Sequence, residues 1–170
     1  MTRFTAMIAA ALLAVGGAAQ AETVTADIIG TKGDKIGTLS VADAPTGVVL
    51  TVEIGPGGLA PGWHGNHLHA VGDCSDVGTF KKSTGHINPS GRKHGLLNPD
   101  GPDNADLPNL YVHADGSAHA QMFNPRVSLK GSVPLLDDDG SAFIIHANPD
   151  DHMAQPIGGA GGRVACAAIK

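Results

Sequence analysis

No stretch of this 170-residue chain is long and apolar enough to serve as a transmembrane helix: the longest unbroken apolar run, residues 6–15, holds about 10 residues where a span needs about 20. With Arg3 before that run and Ala19-Gln20-Ala21 after it, residues 1–21 read instead as a secretory signal peptide, and the mature, exported, soluble chain is expected to begin near Glu22. No cysteine lies near Ala21, which argues against a lipid-anchored product. Positive charge is scarce, with 11 Lys and Arg against 16 Asp and Glu; losing Arg3 with the signal takes the net charge from −5 to −6, so a nucleic-acid partner is not expected. Cysteine is scarcer still. Cys74 and Cys166 are the only two, and export carries them into an oxidising space, where one intramolecular disulfide is the default reading and two unpaired buried thiols the alternative. Closing so long a loop would stabilise the fold by up to about 4–5 kcal/mol on chain-entropy grounds. Helical periodicity and internal repeats are absent, and residues 22–170 suit one domain with one core.

What remains is a pattern of short strands. Val24, Ala26 and Ile28 alternate onto one face, followed by Leu39 and Val41, then Leu50, Val52 and Ile54, with turn residues between them at about ten-residue spacing. That spacing predicts an all-β, antiparallel sandwich or barrel. An extended pattern resumes at residues 63–71. Residues 110–114 and 117–123 are expected to pair as a hairpin about Asp115-Gly116. Residues 141–147 alternate again, with Phe143 and Ile145 on one face and Ile144 and His146 on the other, and residues 164–169 form a last apolar strand. Two segments break the pattern. Residues 72–108 are rich in Gly, Pro, Asp, Asn and His and form no convincing strand, so something must hold so long a loop in place; residues 148–162 form a second Gly- and Pro-bearing loop.

Nine histidines are many for this length, and imidazole suits copper and zinc. On a strand, His67 and His69 point to the same face while Leu68 points away, so both can offer nitrogens to one metal. A pair of exposed strand histidines would have the same spacing. His86 and His94 in the long loop, Asp103 and Asp106 after them, and His146 on a late strand supply ligand types for a second ion, which would give the loop its order. His113, His119 and His152 are expected on the solvated surface, as are Lys81-Lys82 and Asp137-Asp138-Asp139.

Several motifs resemble those of the copper/zinc superoxide dismutases, over residues 25–169. His64-Gly-Asn-His67-Leu-His69 with Gly72-Asp73-Cys74 is similar to the family's first copper motif, and Gly85-His86-Ile-Asn-Pro89 with Arg92-Lys-His94-Gly95 to its zinc loop. Asp106-Leu-Pro-Asn109-Leu110 resembles the end of that loop in bacterial members. Ile145-His146-Ala147 with Asp150-Asp151 resembles the last copper strand, and Gly161-Gly-Arg163-Val-Ala-Cys166 the C-terminal signature.

The resemblance implies a Greek-key barrel of about eight strands, periplasmic, with His67, His69 and His146 on copper, His86 bridging copper and zinc, and His94 and Asp106 on zinc. Asp150 would accept hydrogen bonds from the other ring nitrogens of His67 and His94. Cys74 and Cys166 would form the family's disulfide, and His64 would pack beside copper without ligating it. One position departs from the pattern: Asp103 stands where the family has a third zinc histidine. Three outcomes follow: Asp103 ligates zinc, water or another group takes the place, or the zinc site is lost. Two carboxylates would weaken discrimination in favour of zinc.

The implied activity is conversion of superoxide to oxygen and hydrogen peroxide by redox cycling of copper, with zinc structural. His86 would carry a proton, and Arg163 would attract and orient the anion; a surface salt bridge is the other reading of Arg163. Residues 148–162 hold no lysine or arginine, so little further steering is expected from that loop. The rival is a periplasmic copper-buffering protein on the same fold, which needs neither Arg163 nor a bridging His86. Family members are monomers or homodimers.

Overall fold

The computed structural model describes residues 21–170; the proposed signal peptide falls almost wholly outside them. Nine strands follow one another: β1 (Thr23–Gly30), β2 (Lys35–Ala44), β3 (Gly47–Ile54), β4 (Gly62–His64), β5 (Asn66–His69), β6 (Leu110–Val112), β7 (Ala118–Asn124), β8 (Ser141–His146) and β9 (Arg163–Ile169). Seven of them build one curled antiparallel sheet in the order β5-β8-β9-β1-β2-β3-β7, and β4 pairs with β6 in a separate ribbon. β4 runs into β5 and β6 into β7, so this ribbon ties the two edge strands of the sheet to each other. The result is an antiparallel Greek-key barrel. Among the described residues no helix is long and apolar enough to cross a membrane.

The alternation along β1–β3 builds the core. Ile28, Leu39, Val41, Leu50, Val52 and Ile54 are at most 1% exposed, while Thr25, Asp27 and Glu53 face solvent. β8 is buried on both faces. Phe143 and Ile145 join the main core with Leu68, whereas Ala142 and Ile144 meet Phe80 and Cys166 in a smaller cluster under the long loop. That cluster and the Cys74–Cys166 disulfide, with 5.8 Å between Cα atoms, supply the anchor the loop requires.

Two expectations about strands are corrected. The extended segment expected over residues 63–71 is two strands broken at Gly65. There the Gly65 N–H donates to the Asn148 carbonyl at 2.8 Å and its own carbonyl accepts from the His146 N–H at 2.8 Å. A Cβ at this position would lie 2.8 Å from that of Ala160, so only glycine permits so close an approach of the second loop. The hairpin expected about Asp115-Gly116 closes as a turn, with the His113 N–H on the Ser117 carbonyl at 2.8 Å, but its arms part. β6 pairs with β4, setting Tyr111 opposite Trp63, and β7 pairs with β3 from Ile54↔Ala118 to Val48↔Asn124.

Candidate metal centre

β5 carries His67 and His69 on one face and sends Leu68 into the core, as the period of a strand requires. Its free edge is covered by the long loop. The Ile87 N–H donates to the Leu68 carbonyl at 3.0 Å and the Leu68 N–H to the Ala105 carbonyl at 3.2 Å, which brings His86 and Asp106 alongside the two strand histidines. His146 ends β8 at a register shift after Ile145, an irregularity of the kind that re-aims a side chain.

Each of four imidazoles has one nitrogen engaged and one left over. The His67 Nε2–H donates to Asp150 Oδ2 (2.9 Å), His69 Nδ1–H to the Thr84 carbonyl (2.8 Å), His146 Nδ1–H to the Gly161 carbonyl (3.0 Å) and His86 Nδ1–H to Asp103 Oδ2 (2.8 Å). In the metal-free chain these acceptors set the tautomers and leave lone pairs on His67 Nδ1, His69 Nε2, His86 Nε2 and His146 Nε2, and the His86 proton must leave Nδ1 before that nitrogen can ligate. Among the described residues all four are buried without a partner. The His67, His69 and His146 donor atoms lie within 4.8 Å of one another, and the His86 ring is centred 4.4 Å from that of His67. Burial, reinforced by the neighbouring His86 and His146 and only partly opposed by Asp150, lowers the pKa of His67 to about 4; burial with Arg163 and His86 does the same for His146, and His69 is also pushed well down. Protons therefore compete weakly with a metal there at neutral pH, and the donor set suits copper.

On the other side of His86 a second group forms. His86, His94, Asp103 and Asp106 offer one ligand atom each, again within 4.8 Å of one another. His94 Nδ1 lies 2.6 Å from Asp106 Oδ1 and its Nε2 3.1 Å from Asp150 Oδ1. Burial disfavours the His94 cation, but Asp106 and Asp150 outweigh it and push the pKa up to about 10. A metal taken up at pH 7 must displace that proton. Calorimetry of zinc binding to the metal-free chain, run in two buffers of different ionisation enthalpy, is expected to show release of about one proton per zinc, with apparent affinity rising up to about pH 10. A release near zero would contradict the pairing of His94.

Asp150 stands between the groups. Burial works against its charge, but hydrogen bonds from His67 and His94 and from the His152 N–H (2.7 Å) hold its carboxyl well below the usual range. Asn109 fixes its backbone reciprocally: Nδ2 donates to the Asp150 carbonyl and Oδ1 accepts its N–H, both at 2.8 Å. Gly158, at φ +58°, passes so near that a Cβ would fall 1.7 Å from Asp150 Oδ1. The same loop is stitched to the long loop, since the Gln155 side chain bonds both the N–H and the carbonyl of His94, and the Leu97 N–H donates to the His152 carbonyl.

His152 is the third correction. It is half-buried rather than solvated, with Nε2 3.2 Å from Asn109 Nδ2 and Nδ1 3.5 Å from Asp150 Oδ2. His113 and His119 are exposed, as are Lys81, Lys82 and the three aspartates at 137–139. His64 faces carbonyl oxygens with both nitrogens, those of His146 (2.6 Å) and Ala60 (2.8 Å), and has none free for a metal. The role of Asn109 in holding the Asp150 backbone has no signal in the sequence beyond its place in the Asp106-Leu-Pro-Asn109-Leu110 motif.

Arg163 opens β9. Its guanidinium donates to the carbonyls of Phe80 and Thr84, both at 2.6 Å, and to Ser83 Oγ at 3.0 Å, so the disulfide-tied segment of the loop sets its position. It lines a cavity of about 490 Å³ together with His69, His86, His94, Asp103 and Arg92. Arg92, from the first loop, is a further cation beside this cavity, brought there by folding from outside residues 148–162, where steering charge was not expected.

The profile of the family described as "Copper/zinc superoxide dismutase (SODC)" matches residues 35–169. The Cu-Zn superoxide dismutase of Caulobacter vibrioides is 49% identical over 152 residues, 87% of this chain and 86% of that protein. Cu-Zn superoxide dismutase 2 of Aquifex aeolicus is 37% identical over 174 residues, 100% of each chain. Among solved structures, a SOD-like protein from Bacillus subtilis superposes with a TM-score of 0.80 at 35% identity, covering 86% of this chain and 97% of that one. The Cu/Zn superoxide dismutase from Brucella abortus gives 0.69 at 26% identity, covering 88% and 100%.

Proposed function

Since this chain belongs to the copper/zinc superoxide dismutase family, we propose that it converts two superoxide anions and two protons to oxygen and hydrogen peroxide, with His67, His69, His86 and His146 holding copper and His86, His94, Asp103 and Asp106 holding zinc. One observation carries the reading: four buried imidazole nitrogens without partners converge beside a cavity that Arg163 lines. When bound, copper supplies the one-electron couple and zinc, which has no redox chemistry, supplies charge and order.

The residues divide the remaining work. His86 offers Nδ1 to the second group and Nε2 to the first, so Nε2 can take up a proton in one half-reaction and give it to peroxide in the other. Asp150 orients His67 and His94 together. Arg163 draws the small anion to the cavity and holds it there. Arg163→Ala is expected to lower kcat/KM roughly 10-fold and to flatten its dependence on ionic strength. An unchanged salt slope would remove Arg163 from that role. Residues 1–21 act as a cleaved signal for export to the periplasm, a placement supported by the disulfide and by bacterial relatives. Mass measurement of the secreted chain, with Glu22 as first residue, tests it.

The deciding experiment measures superoxide disproportionation and copper content on the same purified sample, before and after reconstitution. Activity that follows copper supports the enzyme. Tight copper binding without activity would replace this reading with the copper-buffering one.

A further inference from the structure

The second metal site differs from the family pattern at Asp103, and the structure gives that difference a geometry. We infer that this site is a two-imidazole, two-carboxylate site in which each carboxylate offers a single oxygen, and that it accepts oxygen-preferring divalent ions such as manganese(II) alongside zinc more readily than three imidazoles and one carboxylate would. The inference rests on the zinc ligands assigned above.

Both aspartates divide their oxygens in the same way. Asp103 Oδ1 accepts the Ala105 N–H at 2.9 Å, which leaves Oδ2 aimed at His86 Nδ1. Asp106 Oδ2 accepts the N–H groups of Gly95 (2.8 Å) and Asp103 (2.9 Å), which leaves Oδ1 aimed at His94 Nδ1. Backbone donors thus hold one oxygen of each carboxylate away from the site and orient the other into it. Asp103 is 2% exposed, and Arg126 Nε fixes its carbonyl at 3.1 Å, so the side chain is built into the loop rather than swung in from solvent. Asp106 makes the short loop between the two aspartates self-supporting, since its Oδ2 holds the backbone from which Asp103 projects.

Charge then decides the preference. Exchanging one imidazole for a carboxylate lowers the net charge of the filled site by one unit, which favours ions that bind anionic oxygen. Imidazole favours zinc and copper, whereas carboxylate oxygen suits manganese and its harder neighbours, so exchanging one donor for the other narrows the margin by which zinc wins.

The test uses the full secreted chain, stripped by chelation, reloaded with one copper per chain, and titrated with cobalt(II) followed by its visible absorption. Zinc and manganese then compete for the cobalt-filled site. Asp103→His is expected to raise the zinc-over-manganese preference at least about 10-fold, and Asp103→Asn to weaken zinc binding about 10–100-fold with a changed cobalt spectrum. Identical spectra and affinities in wild type and Asp103→Asn would overturn the inference, as would an unchanged preference in Asp103→His. Circular dichroism shows whether each variant is folded, and a failure of Asp103→Asn to fold leaves the decision to Asp103→His. Disproportionation assayed on the same samples separates the two readings: inactivity with these metal preferences intact would defeat only the enzymatic assignment.

Discussion

Asp150→Asn is expected to weaken metal binding about 10–100-fold, and to weaken it more at the copper histidines than at the second site. The carboxylate accepts three hydrogen bonds, from His67 on Oδ2 and from His94 and the His152 N–H on Oδ1. An asparagine has one oxygen and one NH2. Keeping the oxygen where two donors converge places the NH2 against the Nε2–H of His67, donor against donor. His67 escapes by moving its proton to Nδ1, the nitrogen that otherwise faces the metal, and a protonated Nδ1 cannot ligate. Chelator competition for copper and zinc on the variant measures both losses; equal losses, or none, would show that Asp150 does not set the His67 tautomer.

Removal of the disulfide has the other large effect. Cys74→Ser with Cys166→Ser is expected to cost about 2–5 kcal/mol in a denaturant titration, because the bond closes a 92-residue separation in the unfolded chain. Activity should fall further than the unfolded fraction accounts for. The segment carrying Phe80, Ser83 and Thr84 is tied down by the bond and by Phe80 packing on Ala142 and Ile144, and among the described residues that segment supplies the hydrogen bonds of the Arg163 guanidinium. Under conditions where the variant is fully folded, its salt dependence should therefore approach that of Arg163→Ala. A folded variant with wild-type salt dependence would show that Arg163 keeps its place without the bond.

How much of this was legible in the sequence varies with the range of the interaction. Alternation in β1–β3 and the His67-Leu68-His69 spacing are local consequences of strand period, and both were readable. So was the need for an anchor on residues 72–108, since a long polar loop in a compact fold requires one; that Phe80 would provide part of it was not readable, because a lone apolar residue in a loop carries no periodic signal. Asp115-Gly116 did make its turn, but turn chemistry fixes only the local backbone and says nothing of which strands the two arms join. His152 shows the same limit. Its backbone N–H reaches Asp150 through a φ of +61°, a conformation imposed by the loop and invisible in a histidine surrounded by Asp and Met. The tautomers, finally, depend on carbonyls of Thr84 and Gly161 that only folding brings near.

The stitching of the two loops has a consequence for motion. Gln155 grips the backbone of His94 from across the cavity and Leu97 is bonded to His152, so neither loop can lift away without breaking bonds to the other. In native-state hydrogen exchange, the amides of His94, Leu97 and His152 should share a single opening free energy lower than that of the barrel amides, and filling the second site should slow all three together.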